Sequence, residues 1–474
     1  MLHIPILRAG KPYYSLDTVE IRHHRTHEPI AVVGQANAGV VSRDLYSSTT
    51  AFRRLQQIPM CDLIRMTKEA AEHFLKSDLS LGDTEQSPED YVKQLSGTTG
   101  LPEAMCHANI EKIHYVMANI DEILDGLLRG LDTGIVDKGH GTEDGRTISY
   151  VPNGERFGAV LPSNSPGVHS LWIPAIAFKW PIALKPGREE PWSPLRIIQS
   201  FMKAGVPEEA FGFYPSGHAA AAELLRCSDR SMVFGGASTT RPYEKDPSVE
   251  VHGPGYSKVI FGEDMADDWE QHLDIVVESI SRNGGRSCIN ASAVWTPRHG
   301  REIAEALACR LAEIKPLPAE HPDARLAAFN NPKMAQGISA MIDRGLEEPG
   351  AEELTASRKQ GERYVEMDGC AYLMPTIVWV EDLEHTLVNK EFLFPYASVV
   401  ECPQNEILAR IGPTLVCSAI TADPDFRRDI MDCIHIDRLN IGPLPTGHIS
   451  WDQPHEGNLF DHLYRQRAFQ QASA

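Results

Sequence analysis

The chain has 474 residues, 42% of them hydrophobic and 23% charged, with a net charge of −20. That length exceeds what one core holds, so two or three domains of a water-soluble globular protein are expected. The acidic balance argues against nucleic acid or anionic membrane as partners, and nine cysteines without a C-x-x-C pair fit reduced thiols in the cytoplasm, with no metal framework.

Residues 1–40 read as mixed and strand-like, and His23, His24 and His27 as a solvated loop, since no acidic or cysteine partner stands at ligand spacing. From Val41 the pattern turns helical, with Leu63, Thr67, Ala70 and Phe74 on one stripe. Ser87-Pro88 reads as an N-cap followed by proline at the first helical position. A long helix is expected over 108–128, packing Ile110, Ile113, Met117, Ile120 and Leu124 into a core. The glycine-rich turn 139–145 reads as a hairpin between 135–136 and 147–150. From Phe157 short apolar runs (157–161, 180–184, 211–214, 232–234) alternate with helical stretches (195–204, 218–225), which implies a parallel sheet with crossover helices. The run 171–184 contains Lys179 and two prolines and is too short to insert into a bilayer. Ligands of parallel sheets sit at the carboxyl ends of the strands. The residues at those ends are Pro162-Ser163-Asn164, Lys185-Pro186-Gly187, Ser216-Gly217 and Gly235-Gly236. None forms G-x-G-x-x-G, so a standard dinucleotide fingerprint is not supported.

A second α/β unit starts at Lys258, with helices over 301–314 and 334–344 and strands over 376–380 and 397–401; 347–353 reads as a solvated acidic loop and 459–470 as a helix. In this unit a helix over 269–281 runs into Asn283-Gly284-Gly285, and the turn delivers Cys288 just before the strand-like 293–295. A thiol at a glycine-loosened turn can act as a nucleophile through its thiolate, which positive charge from Arg282 and Arg286 would favour.

The order of short motifs resembles the aldehyde dehydrogenase superfamily over nearly the whole chain. Asn164-Ser165-Pro166 comes first, then Leu184-Lys185-Pro186, Phe234-Gly235-Gly236, Glu250 to Gly253, the Asn283 to Cys288 signature, and Glu391 to Pro395. The resemblance implies an α/β fold of two parallel-sheet domains plus a small oligomerisation arm. It places a cofactor-binding domain at 1–129 and 153–255, a catalytic domain at 256–440, and an arm with a C-terminal return segment at 130–152 and 441–474. It implies NAD(P)-dependent oxidation of an aldehyde, a small-molecule substrate, to a carboxylic acid by a homodimer or homotetramer. Cys288 would attack the carbonyl, Asn164 and the Cys288 N–H would hold the oxyanion, and Glu250 would activate water. Pro162, Ser163, Lys185, Gly217 and Gly236 would line the cofactor, with Glu391 on the nicotinamide ribose. Trp172 would either line the substrate entrance or pack in the core.

Several positions depart from the family pattern. After Glu250 comes His252-Gly253-Pro254-Gly255, a turn similar to those of CoA-acylating aldehyde dehydrogenases and fatty acyl-CoA reductases, so CoA is an alternative acceptor and Glu456 a second candidate base. Arg188 stands where NAD-preferring relatives carry glutamate, which leans the cofactor towards NADP. Leu393 replaces a common phenylalanine, with Phe392 and Phe394 on either side. A second alternative is a non-catalytic relative that keeps the fold.

Overall fold

Short, mostly apolar runs pair into two seven-stranded sheets in the computed structural model, which describes residues 1–358, 362–470 and 472. The first sheet orders Val249–His252, Arg230–Phe234, Phe157–Val160, Ile182–Lys185 and Phe211–Phe213, all parallel. The hairpin Ile6–Arg8 and Lys11–Tyr13 extends it antiparallel. The second sheet orders Ala351–Glu353, Thr376–Val380, Tyr396–Glu401, Ala293–Thr296, Lys258–Phe261, Thr414–Ile420 and Ile436–Ile441, parallel except at the first pair. This is the expected α/β class.

Strand alternation explains why the second sheet is apolar on both faces. Val259, Val294 and Val399 pack into one core, and their neighbours Ile260, Trp295 and Val400 into the other. The first sheet shares its core with the N-terminal helices: Phe157, Ile182 and Phe211 meet Leu63, Phe74 and Ile113. Ser87 caps the helix Pro88–Thr99, accepting the Asp90 N–H.

Local differences from the sequence reading have physical reasons. The 108–128 helix is two helices, Glu103–Ala118 and Ile120–Leu128, parted at Asn119, though its apolar stripe is buried as expected. Residues 135–136 lie in a short helix, Gly134–Lys138, and the hairpin joins His140–Glu143 to Arg146–Pro152. The tail is helical only over Leu459–Leu463; Tyr464–Arg467 then becomes a strand because Arg146–Pro152 offers it an open edge. His24 is not solvated: it is buried and its Nδ1 meets the Gly97 carbonyl at 2.9 Å. Ala351–Glu353 is an edge strand, with Glu353 paired to the buried Arg363. Within the ranges 256–440 and 441–474, residues 359–361, 471, 473 and 474 lie outside the described residues. No helix among the described residues is long and apolar enough to cross a membrane.

Candidate active site

The cysteine loop is fixed by its own asparagines. The helix Leu273–Ser281 ends, and Asn283, Gly284 and Gly285 follow with φ of 51°, 65° and 68°. Glycine is required at Gly285, since a Cβ there would stand 2.4 Å from the Phe394 carbonyl carbon. Asn283 Nδ2 donates to Ser165 Oγ at 3.2 Å and to Ser287 Oγ at 3.0 Å, which ties the loop to the first sheet's ligand end. Asn290 Nδ2 donates to the Ser279 and Arg282 carbonyls, and its Oδ1 accepts the Ser287 N–H. The Gly253-Pro254-Gly255 turn passes under Cys288: a Cβ on Gly255 would lie 2.0 Å from the Cys288 carbonyl oxygen, which Ser257 Oγ holds at 2.8 Å. That close approach gives the glycine a structural reason independent of any acceptor.

Cys288 opens onto a cavity of about 250 Å³ between the carboxyl ends of the first sheet's strands and the amino ends of the second sheet's strands. Asn164, Pro162, Gly236 and Glu391 line the same cavity, so four expected residues meet the thiol there. Asn164 Nδ2 donates to the Arg286 carbonyl, two residues before Cys288, at 2.6 Å. Phe392 and Leu393 line the cavity, whereas Phe394 is buried behind the loop at Gly285. Trp172 is wholly buried, donating to His169 Nδ1 at 3.1 Å, and takes no part in the lining: it is core.

The charges around the thiol differ from the expectation. Arg286 points away, donating to the Thr99 and Ala328 carbonyls with its guanidinium over the Phe329 ring. Arg282 faces Glu278 and the Gly447 carbonyl. Neither supports the thiolate. Burial, and then Glu391, push the Cys288 thiol up to about 12, and Lys112 opposes them. Lys112 was legible only as one more polar position on a helix; it lines the cavity with its ammonium 5.4 Å above the Trp451 ring. Burial also raises the Glu391 carboxyl to about 7, although it accepts the Tyr256 N–H at 2.6 Å.

Of the two candidate bases, Glu456 lines the cysteine cavity and Glu250 does not. They are joined through His252. Glu456 is hydrogen-bonded to His252 Nδ1, and Glu250 Oε1 lies 3.1 Å from Nε2 without a hydrogen bond's alignment. The His252 ring stacks on Phe234 at 4.3 Å, 8° from parallel. His455 lies beside Glu456, its proton affinity pushed well down by burial and then by Arg438 and Lys112.

The remaining cofactor-side residues, Ser163, Lys185, Arg188 and Gly217, lie along the ends of the first sheet outside that cavity, whereas Gly236 lines it. Lys185 ends its strand half-buried, and Arg188 is exposed. Ser163 Oγ donates to Glu189 Oε2 at 2.9 Å; burial lowers the proton affinity of Lys185, and the Glu189 carboxylate partly opposes it. Gly217 and Gly236 cap the helices His218–Cys227 and Ala237–Thr240, and a side chain on either would meet nothing within 4 Å. Open backbone at strand ends, a buried carboxylate and a strand-end lysine fit a dinucleotide.

A model of the aldehyde dehydrogenase family matches residues 14–411. The aminoacetaldehyde dehydrogenase of Pseudomonas aeruginosa is 26% identical over 282 residues, which are 56% of this chain and 54% of that protein, so the match spans little more than half of that relative. The solved aldehyde dehydrogenase KauB of Pseudomonas aeruginosa superposes with a TM-score of 0.82 at 16% identity, covering 99% of this chain and 96% of that one. The NAD+ complex of an aldehyde dehydrogenase from Bacillus cereus gives 0.78 at 17% identity, covering 98% and 96%. With the family match covering most of the chain, the cysteine loop and the central strands of both sheets included, the chain belongs to the aldehyde dehydrogenase family.

Proposed function

We propose that this protein oxidises an aldehyde to a carboxylic acid through a thioester on Cys288, which water cleaves. Its family makes it an NAD(P)-dependent oxidoreductase acting on aldehydes. The observation that carries the finer reading is that Cys288, Asn164, Glu391 and Glu456 line one cavity.

The steps use this chain's groups as follows. The Cys288 thiol adds across the carbonyl, sulfur to carbon and proton to oxygen, while the Asn164 amide and the Cys288 N–H stabilise charge on that oxygen. When bound, the nicotinamide supplies the acceptor for the hydride, and loss of the hydroxyl proton completes a thioester. Lys185, Gly236 and Glu391 would hold that cofactor. Glu456 takes a proton from water as the water oxygen attacks the thioester carbon; the carbon–sulfur bond breaks and the thiol regains its proton. Both ring nitrogens of His252 face carboxylates, so the ring bridges Glu456 to Glu250 and does not itself meet the water. Glu250 becomes a positioning residue.

Arg188 is exposed, while Glu189 is tied to Ser163 beside Lys185. A carboxylate at the ribose end bonds hydroxyls and repels a 2′-phosphate, which favours NAD over NADP. The reading is tested with purified protein, an aldehyde panel and NAD, with and without CoA. Free acid equal to the NADH formed, without CoA, supports it; product that needs CoA would move the protein to the acyl-CoA class.

A further inference from the structure

Beside the cysteine cavity lies a second hollow of about 660 Å³ that shares Lys112, Ser165, Ser287 and Ile289 with it but none of Gly236, Glu391 or Phe392. It therefore adjoins the cysteine cavity at the two residues that flank Cys288, away from the cofactor side, and an aldehyde entering there would pass its walls. Those walls carry Lys112, Arg282 and Arg325 against one exposed carboxylate, Glu111. A local excess of positive charge in a chain of net charge −20 is the reverse of what the bulk composition would place there.

Lys112 is the innermost of the three, at the junction of the two hollows. Among the described residues no carboxylate comes within ion-pair distance of its ammonium. The Trp451 ring lies 5.4 Å from it, and the Cys288 thiol is near enough to act on it electrostatically. Protein encloses it although the cavity leaves the side chain partly accessible, and burial pushes the ammonium down to about 8. Arg282 and Arg438 push in the same direction, so the local field disfavours the charge from several sides. Among the described residues Arg325 is held by the Ser281 hydroxyl at 3.2 Å, and Arg282 by long contacts to Glu278 at 3.4 Å and the Gly447 carbonyl at 3.3 Å. An enclosed cation without a counter-charge is costly unless a ligand brings the anion.

We propose that the substrate is an aldehyde bearing a carboxylate, which Lys112 binds inside the entrance after Arg282 and Arg325 have drawn it in. One enclosed ammonium matches one negative charge, which favours a carboxylate over a phosphate dianion. An aldehyde carrying an ammonium group is repelled by the same residues. This rests on the reading of Cys288 as the nucleophile of aldehyde oxidation.

The test compares an aldehyde with a terminal carboxylate against its methyl ester, with NAD as acceptor, in the wild type, Lys112→Met and Lys112→Arg. The wild type is expected to favour the carboxylate in kcat/KM by about tenfold or more, the worth of one charge-assisted contact. Lys112→Met should bring the ratio close to one, chiefly through KM for the carboxylate, and Lys112→Arg should keep most of the preference. If Lys112 only supports the thiol, the methionine variant lowers both substrates alike and the ratio stays, which overturns the proposal. A wild type that oxidises the ester as well as the acid also overturns it, while leaving the aldehyde oxidation intact. Failure to oxidise any aldehyde sinks both.

Discussion

Glu456 is hydrogen-bonded to Nδ1 of His252, a residue 204 positions earlier on the edge strand of the first sheet. The bond places a carboxylate from the C-terminal return in the cavity that Cys288 opens onto. If Glu456 activates the water, Glu456→Gln slows thioester hydrolysis by about 10² to 10⁴-fold, the usual worth of a general base. Acylation precedes that step, so the variant should give a burst of NADH followed by a slow steady rate. Glu250→Gln, acting only through the His252 ring, should cost much less; the reverse ranking in stopped-flow traces would return the base to Glu250.

Asn164 reaches the cysteine loop through the Arg286 carbonyl. As an oxyanion donor its loss falls on kcat more than on KM. Asn164→Ala should lower kcat by about 10² to 10³-fold, as for other single donors. Steady-state kinetics that show a raised KM and an unchanged kcat would make it a binding residue instead.

The resting thiol is held protonated, since burial and then Glu391 push Cys288 up to about 12. Alkylation by iodoacetamide should therefore keep accelerating with pH, without a plateau in the ordinary thiol range of about 8 to 9. Glu391→Gln removes the nearby negative charge and should speed the reaction at fixed pH. A plateau at neutral pH would mean that the free enzyme already holds a thiolate.

Burial raises the Glu391 carboxyl from the ordinary 4.5 to about 7. A folded-state value above the unfolded one means the folded chain binds more protons between the two. Its contribution to stability is full below pH 4.5 and is lost as pH rises through about 7. Thermal melts across that window should show the wild type losing more stability than Glu391→Gln. Parallel curves for the two proteins would contradict the burial argument.

Glu189 is hydrogen-bonded to Ser163 and acts electrostatically on Lys185, so its charge should oppose NADP. Glu189→Gln should raise kcat/KM for NADP relative to NAD, while Arg188→Ala, altering an exposed side chain, should move the ratio less. If the arginine variant alone changes the ratio, the 2′-phosphate is read at Arg188.

The parallel strands were legible because a buried strand leaves a short Val/Ile/Phe run with glycine or proline at its end. The same ends announced Asn164 and Gly236, and a glycine pair after a helix announced the cysteine turn, because ligand-facing loops need small or turn-forming residues. Lys112 was not legible. One lysine in an amphipathic helix looks solvated, and only the packing of Glu103–Ala118 against the Pro166–Leu171 turn brings it to the cavity. Arg286 misled for the opposite reason: sequence gives its nearness to Cys288 but not the direction of its side chain. The His252–Glu456 bond joins distant residues, and no local pattern carries it. The strand Tyr464–Arg467 followed from its partner's open edge, which overrode a helical pattern in the tail.

The most direct test of the account is mass spectrometry of the Cys288 peptide after Glu456→Gln enzyme has been mixed with NAD and an aldehyde, then quenched in acid. An acyl group of the substrate's mass is expected on Cys288, accumulating with the NADH burst, with no turnover in Cys288→Ala. Undiminished aldehyde oxidation in Cys288→Ala, or an acyl group on a different residue, would contradict it.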